Sequence, residues 1–195
     1  MSEIIQSVNL KDGNILEIYL DTTPSNPRED SNLGIIAGFH KRYSLADNNV
    51  SFKSDDFEGW DAMEEHICKV IKAVVCLPLY MYDHGGITIK TTPFGDRWDS
   101  GQIGFIYCTN STISDIGLAI QNDDTWSSYK ERLAKHLIAE VHTFDQYLTG
   151  DVYGFAIKNT DGEEQDSCWG FYGDDYKTNG MLDHVGKDNI KLDDL

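Results

Sequence analysis

His136 and Glu140 stand four residues apart in the stretch TWSSYKERLAKHLIAEVHTFDQYL. That spacing on a helix brings two side chains onto one face, so an imidazole and a carboxylate there could exchange a proton or share a metal ion. The hundred-degree helical step sets Glu140 at the edge of an apolar stripe, with Tyr129, His136 and Tyr147 beside it, where a carboxylate needs a partner. The competing reading is structural: a hydrogen-bonded Glu140 that fixes the helix against a sheet, or a side chain that reaches past the stripe into solvent. Asp83, His84, Asp96 and Asp99 form a second set in two loops, and carboxylates and imidazole from neighbouring loops could meet around a divalent ion. Aspartates in loops also cap turns by accepting from nearby backbone N–H groups, which is the simpler account of Asp83, Asp96 and Asp99. The chain has no GxSxG, HExxH or EF-hand spacing, and neither GxGxxG nor GxxxxGK[ST] to cradle a phosphate. No cofactor is expected from these patterns.

Two further segments, TTPFGDRWDSGQIGFIY and DSCWGFYGDDY, interleave Trp, Gly, Phe and Tyr with Asp. Either their aromatics pack beside turns, or Trp98 and Trp169 belong to a recognition surface suited to a cationic protein or a stacked small ligand. Acidic residues gather in the second half of the chain. Asp123, Asp124 and Glu131 cluster near the start of the long helical stretch. Asp161, Glu163, Glu164 and Asp166 cluster around an Asp-Gly turn, with Asp174 and Asp175 beyond.

The charge balance is the outlying feature: 33 Asp and Glu against 16 Lys and Arg in 195 residues, a net charge of -17. Residues 1–97 hold 15 acids and 9 bases and residues 98–195 hold 18 and 7. A protein that grips phosphates neutralises them with Lys and Arg, and here no basic cluster exceeds the pair Lys41-Arg42, so direct nucleic-acid binding is not expected. No apolar run approaches the roughly 20 residues of a membrane helix, and the first residues lack a signal-peptide pattern, which points to the cytosol and away from membranes. Cys68, Cys76, Cys108 and Cys168 show no CxxC spacing and sit in apolar contexts, so reduced, largely buried thiols without zinc are expected.

The elements that would position these residues follow from periodicity. Residues 4–10 and 15–21 flank an Asp-Gly turn and read as a hairpin, and residues 33–39 read as a short buried strand. A helix is expected over residues 54–72, with Asp55 and Asp56 favoured near its N-terminus. Residues 73–82, 87–92 and 102–108 read as three antiparallel strands, the first bulged at Pro78 or lying at an edge there. Residues 111–124 read as a polar loop, 125–148 as the best helix, and 152–158 with 167–172 as a second Asp-Gly hairpin. The expected architecture is a single α+β domain over residues 1–195. One mainly antiparallel sheet carries the strands of 73–108 and 152–172, two principal helices pack on one face, and residues 175–195 form a mobile tail.

The phrases SNPREDSNLG, LYMYDHGGITIKTTPFGDRWDSGQIGFIY, EVHTFDQYLTGDVYGF and DSCWGFYGDDY resemble those of a family of small acidic proteins encoded by phages, prophages and integrative elements of Gram-positive bacteria. The resemblance implies a mobile-element setting, in which small acidic proteins are often inhibitors of host defence; it assigns no catalytic residue. The function expected first is therefore a non-enzymatic accessory protein, an anti-restriction or anti-CRISPR type inhibitor. Its carboxylates at Asp161, Glu163, Glu164, Asp166, Asp174 and Asp175 would occupy a basic or nucleic-acid-binding surface of a host protein, imitating the charge of duplex DNA. Two alternatives stay open. One is a metal-dependent hydrolase or nuclease using Asp83, His84, Asp96 and Asp99, or His136 and Glu140. The other is a sponge for a signalling nucleotide, with Trp98 and Trp169 stacking the base and Lys90 and Arg97 near the right loops.

Overall fold

A computed structural model describes residues 4–96, 98–186, 189 and 190. In chain order the elements are β1 (Ile4–Asn9), β2 (Ile15–Leu20), β3 (Ile35–Gly38), α1 (Trp60–Lys69), β4 (Val75–Asp83), β5 (Ile87–Lys90), β6 (Ser100–Cys108), α2 (Asn110–Ile116), α3 (Trp126–Thr149), β7 (Val152–Lys158), β8 (Glu164–Tyr172) and α4 (Met181–Val185). The protein is α+β with antiparallel sheets. Its strands divide between two four-stranded sheets, ordered β1-β2-β7-β8 and β3-β6-β4-β5. The chain clusters into two compact units, residues 28–145 and residues 1–27 with 146–195. The expectation of one sheet is thereby corrected, because β7 and β8 pair with the N-terminal hairpin and not with β4, β5 and β6. Both sets of strands carry apolar faces, and alternation within a strand does not say which neighbour it joins.

In the unit of residues 28–145, β6 is nearly continuous in its burial from Ile103 to Cys108, the pattern of a strand covered on both faces. Phe105 and Tyr107 point toward α1, packing with Met63 and Ile67. Ile106, on the opposite face, lies beside Leu137 of α3, and Gly34 allows this approach, since a Cβ there would come within 2.6 Å of Ile106 and 2.8 Å of Leu137. The two principal helices therefore cover opposite faces of this sheet, not one face, because successive residues of β6 alternate between them. Pro78 fits its expected place. Only residues 80–83 of β4 pair with β5, so Pro78 has β6 alone as a neighbour, next to a bulge between Leu79 and Tyr80.

The helix expected from residue 54 is shorter. Ser54–Asp56 form a single 3-10 turn, and Gly59, with φ of 121°, precedes α1. At the other end Lys72 takes a φ of 61° and stops the helix. Residues 111–124 are not wholly loop. Thr109 and Thr112 exchange caps, the Thr112 amide donating to Thr109 Oγ1 (3.3 Å) and the Thr109 amide to Thr112 Oγ1 (3.1 Å), and Gly117 ends α2 in the left-handed region.

In the other unit, Leu16 and Ile18 of β2, Phe155 and Ile157 of β7 and Phe171 of β8 share one core face. The residues that cover it, Tyr176, Met181, Leu182, Val185 and Ile190, come from the segment expected to be a mobile tail. A four-stranded sheet with one bare apolar face needs a lid, and these side chains, spaced through an otherwise polar segment, supply it. Residues 187, 188 and 191–195 of that expected tail lie outside the described residues.

Candidate binding surfaces

Glu140 projects from α3 and accepts from the backbone N–H groups of Leu33 (2.6 Å) and Gly34 (2.9 Å), and from Arg28 Nη1 (3.2 Å). Arg28 is buried, its side chain 6% exposed. It donates Nε (3.1 Å) and Nη2 (2.7 Å) to the two oxygens of Asp47, and Nη2 also reaches the Gly34 carbonyl (2.6 Å). Asp47 in turn accepts from the Ile36 amide (2.8 Å). Burial works against the Arg28 charge, but the bonds to Asp47 and Glu140 outweigh it and raise the guanidinium pKa. Every lone pair this cluster uses is directed at β3 or the segment leading into it, so Glu140 fixes the helix to the sheet. His136 is exposed and makes no bond to Glu140, so the acid/base or metal pair read from their spacing is not assembled.

Asp83, His84 and Asp99 do come together, at the junction of β4, its turn and the start of β6. The Asp83 amide donates to the Asp99 carbonyl (2.9 Å), and His84 Nδ1 lies 3.1 Å from Asp99 Oδ2. The Asp83 carboxylate faces elsewhere, paired with Arg42 and within 3.4 Å of the Tyr43 hydroxyl. Asp96 accepts from the Trp98 amide (2.7 Å), the turn-capping role expected of it. Among the described residues no three His, Cys, Asp or Glu side chains converge to hold a metal ion. Trp98 is 95% exposed at this loop; Arg97 lies outside the described residues.

Of the cysteines, Cys108 is buried, Cys76 and Cys168 are half-buried and Cys68 is exposed, which corrects the expectation for Cys68; all four are free thiols. Burial pushes the Cys108 thiol up to about 11. Cys68 falls outside the inward stripe of Met63 and Ile67 on α1.

On the β1-β2-β7-β8 sheet, the face opposite the core carries Trp169, which lies over Gly154 so closely that a Cβ there would overlap the indole. Tyr19 stands 5.8 Å from Trp169, centroid to centroid, and its hydroxyl donates to Glu17. Lys158 Nζ completes this group 2.5 Å from Glu17. The Lys158 ammonium first, and the Tyr19 hydroxyl second, hold the Glu17 carboxyl below its ordinary range. Trp169 remains 46% exposed and borders a small cleft with residues 21–23 and Ser25.

The turn joining β7 to β8 is held by Asn159, whose Oδ1 accepts from the amides of Asp161 (3.0 Å) and Glu163 (2.9 Å) and whose Nδ2 donates to Glu163 (3.0 Å). Asp161 and Glu163 on the turn, and Glu164 and Asp166 at the start of β8, are all exposed. The Glu164 carboxylate accepts from Ser167 Oγ (2.9 Å) and that of Asp166 from the Ser167 amide (2.9 Å). Among the described residues none of the four is in an ion pair with Lys or Arg. Asp174 and Asp175 are also exposed but follow the other end of β8. A nine-residue strand is about 27 Å long, so the acids expected to occupy one basic surface together form two groups at opposite ends of a strand. Asp124, near the start of α3, is paired with Arg132 (2.5 Å) and accepts from the Gln121 amide (2.8 Å). No helix among the described residues is long and apolar enough to cross a membrane. No protein-family model, curated protein or solved structure matches the chain.

Proposed function

We propose that this chain is a non-enzymatic accessory protein of a phage or other mobile element, which inhibits a host defence protein by occupying its basic, nucleic-acid-binding surface. The observation that carries this reading is the end of the β7–β8 hairpin, where four exposed carboxylates stand on and beside a turn fixed by Asn159, none of them in an ion pair with Lys or Arg among the described residues. A pre-set turn loses little freedom on docking, and unpaired carboxylates attract Lys and Arg over about a Debye length. The resemblance of the sequence to proteins of mobile elements supplies the setting, and the net charge of -17 favours a cationic partner.

Affinity capture from a host lysate, comparing the wild type with the Asp161→Asn/Glu163→Gln/Glu164→Gln variant, tests this. The expected result is a co-purifying nucleic-acid-binding protein that the variant loses, and that DNA or added salt releases from the wild type. Exposed turn charges contribute little to stability, so the variant should melt as the wild type does. Capture that is indifferent to the variant and to salt rejects the reading.

A further inference from the structure

A cleft of about 930 Å³ opens on the unit of residues 28–145. Its walls include His40, Lys41, Arg42, Tyr43, Lys53 and Trp60. In a chain with twice as many acids as bases, this cleft reverses the balance, with three Lys or Arg among its lining residues against one carboxylate, Asp55. Residues 40–43 form a tight loop closed by antiparallel pairing of Phe39 with Ser44. Within it the His40 and Tyr43 rings stack at 5.2 Å and 15°, and the Arg42 guanidinium lies 5.5 Å from the Tyr43 centroid. The Arg42 amide donates to His40 Nδ1 (3.3 Å), which leaves the proton of the neutral ring on Nε2, a donor for an anionic oxygen. Arg42 is balanced by Asp83. Lys41 and Lys53 are exposed and in no ion pair found among the described residues, so they are the cations available to a ligand.

We infer that this cleft binds a nucleotide, its phosphates on Lys41 and Lys53 and its base against the His40, Tyr43 and Trp60 rings. Phosphate alone would leave most of the volume empty, whereas small-molecule sites of roughly 300–1,000 Å³ enclose ligands with a ring system and a few charged groups. Aromatic faces accept any base by stacking, and ammonium groups meet phosphate as point charges. None of the acidic hairpin residues, and neither Trp98 nor Trp169, is among the residues that line this cleft.

Calorimetric titration of the whole protein with ATP, GTP, CTP and UTP, and with adenosine and inorganic triphosphate, tests the inference. At least one nucleoside triphosphate should bind one to one, with adenosine and triphosphate each at least about tenfold weaker. The Lys41→Ala/Lys53→Ala variant should weaken it by about tenfold or more, the loss of a charge-assisted contact. Amide shifts of the unaltered protein on adding nucleotide should centre on residues 40–43, 53 and 60, a readout that depends on no variant. The Asp161→Asn/Glu163→Gln/Glu164→Gln variant should bind nucleotide as the wild type does, so this inference and the hairpin reading fail separately. Absence of binding by all four nucleotides at millimolar concentration overturns it. So does an undiminished affinity in the lysine variant, and so does inorganic triphosphate binding as tightly as a nucleotide.

Discussion

Arg28 is the residue on which two distant carboxylates depend: Asp47, 19 residues away, and Glu140, 112 residues away. Truncating Arg28 to Ala would leave both half-buried without a counter-charge, which typically costs about 3–5 kcal/mol. Urea denaturation of Arg28→Ala should show that loss, whereas Glu140→Gln, which keeps an acceptor for the Leu33 and Gly34 amides, should lose less. Half of this arrangement was legible in the sequence. A carboxylate beside the stripe of Leu133, Leu137 and Val141 called for a partner, but nothing local tied Arg28, in a proline-rich loop, to a helix more than a hundred residues on. Glu17 sets a pH dependence. Its carboxyl is held low by Lys158 and Tyr19, so the stability it contributes is present above the ordinary glutamate value and is lost as pH falls through its lowered folded value. Stability curves from about pH 7 to about pH 3 should therefore fall less steeply on the acid side in Glu17→Gln than in the wild type. The cysteines divide by exposure: alkylation of the native protein should label Cys68 first and spare Cys108, whose thiol burial has pushed up, and peptide mass spectrometry reads the order.

Among the elements, β6 carries the tightest constraint. Gly104 has a φ of 151° and faces Gly38 of β3, where a Cβ would overlap the Ala37 carbonyl. Gly104→Ala should therefore strain the backbone and force β3 away, lowering thermal stability by several kcal/mol, on the order of the largest single-residue losses. α3 is tied to both edge strands of its sheet by carboxylates: Glu140 near the start of β3, and Asp145, which accepts from Thr88 Oγ1 (2.8 Å) and the Ile89 amide (2.7 Å) on β5. Asp145→Ala should leave that amide open to solvent, and hydrogen exchange at Ile89 should speed up while the amides of β6 keep their protection. Hairpins at Asp12-Gly13 and Asp161-Gly162 and the length of α3 were readable, because turn chemistry and a 3.6-residue stripe are local signals. α2 was not, since its capping threonines read as loop composition. α1 was overextended, since Gly59 interrupts an otherwise continuous acidic and apolar run.

At the scale of the molecule, the α+β class was legible and the partition of strands was not. The pairing of Ile15 with Lys158 joins strands separated by most of the chain, and no short-range pattern announces it. The same pairing has a consequence for synthesis on the ribosome. Residues 28–145 emerge as one uninterrupted stretch that forms one compact unit, while residues 1–27 must wait for 146–195. Until then the β1–β2 hairpin presents the unpaired edge of β2 and the bare side chains of Leu16 and Ile18. A nascent chain halted once residue 145 has cleared the exit tunnel should resist protease across residues 28–145 and be cut within residues 1–27. Its early hairpin would then be the segment most in need of a chaperone.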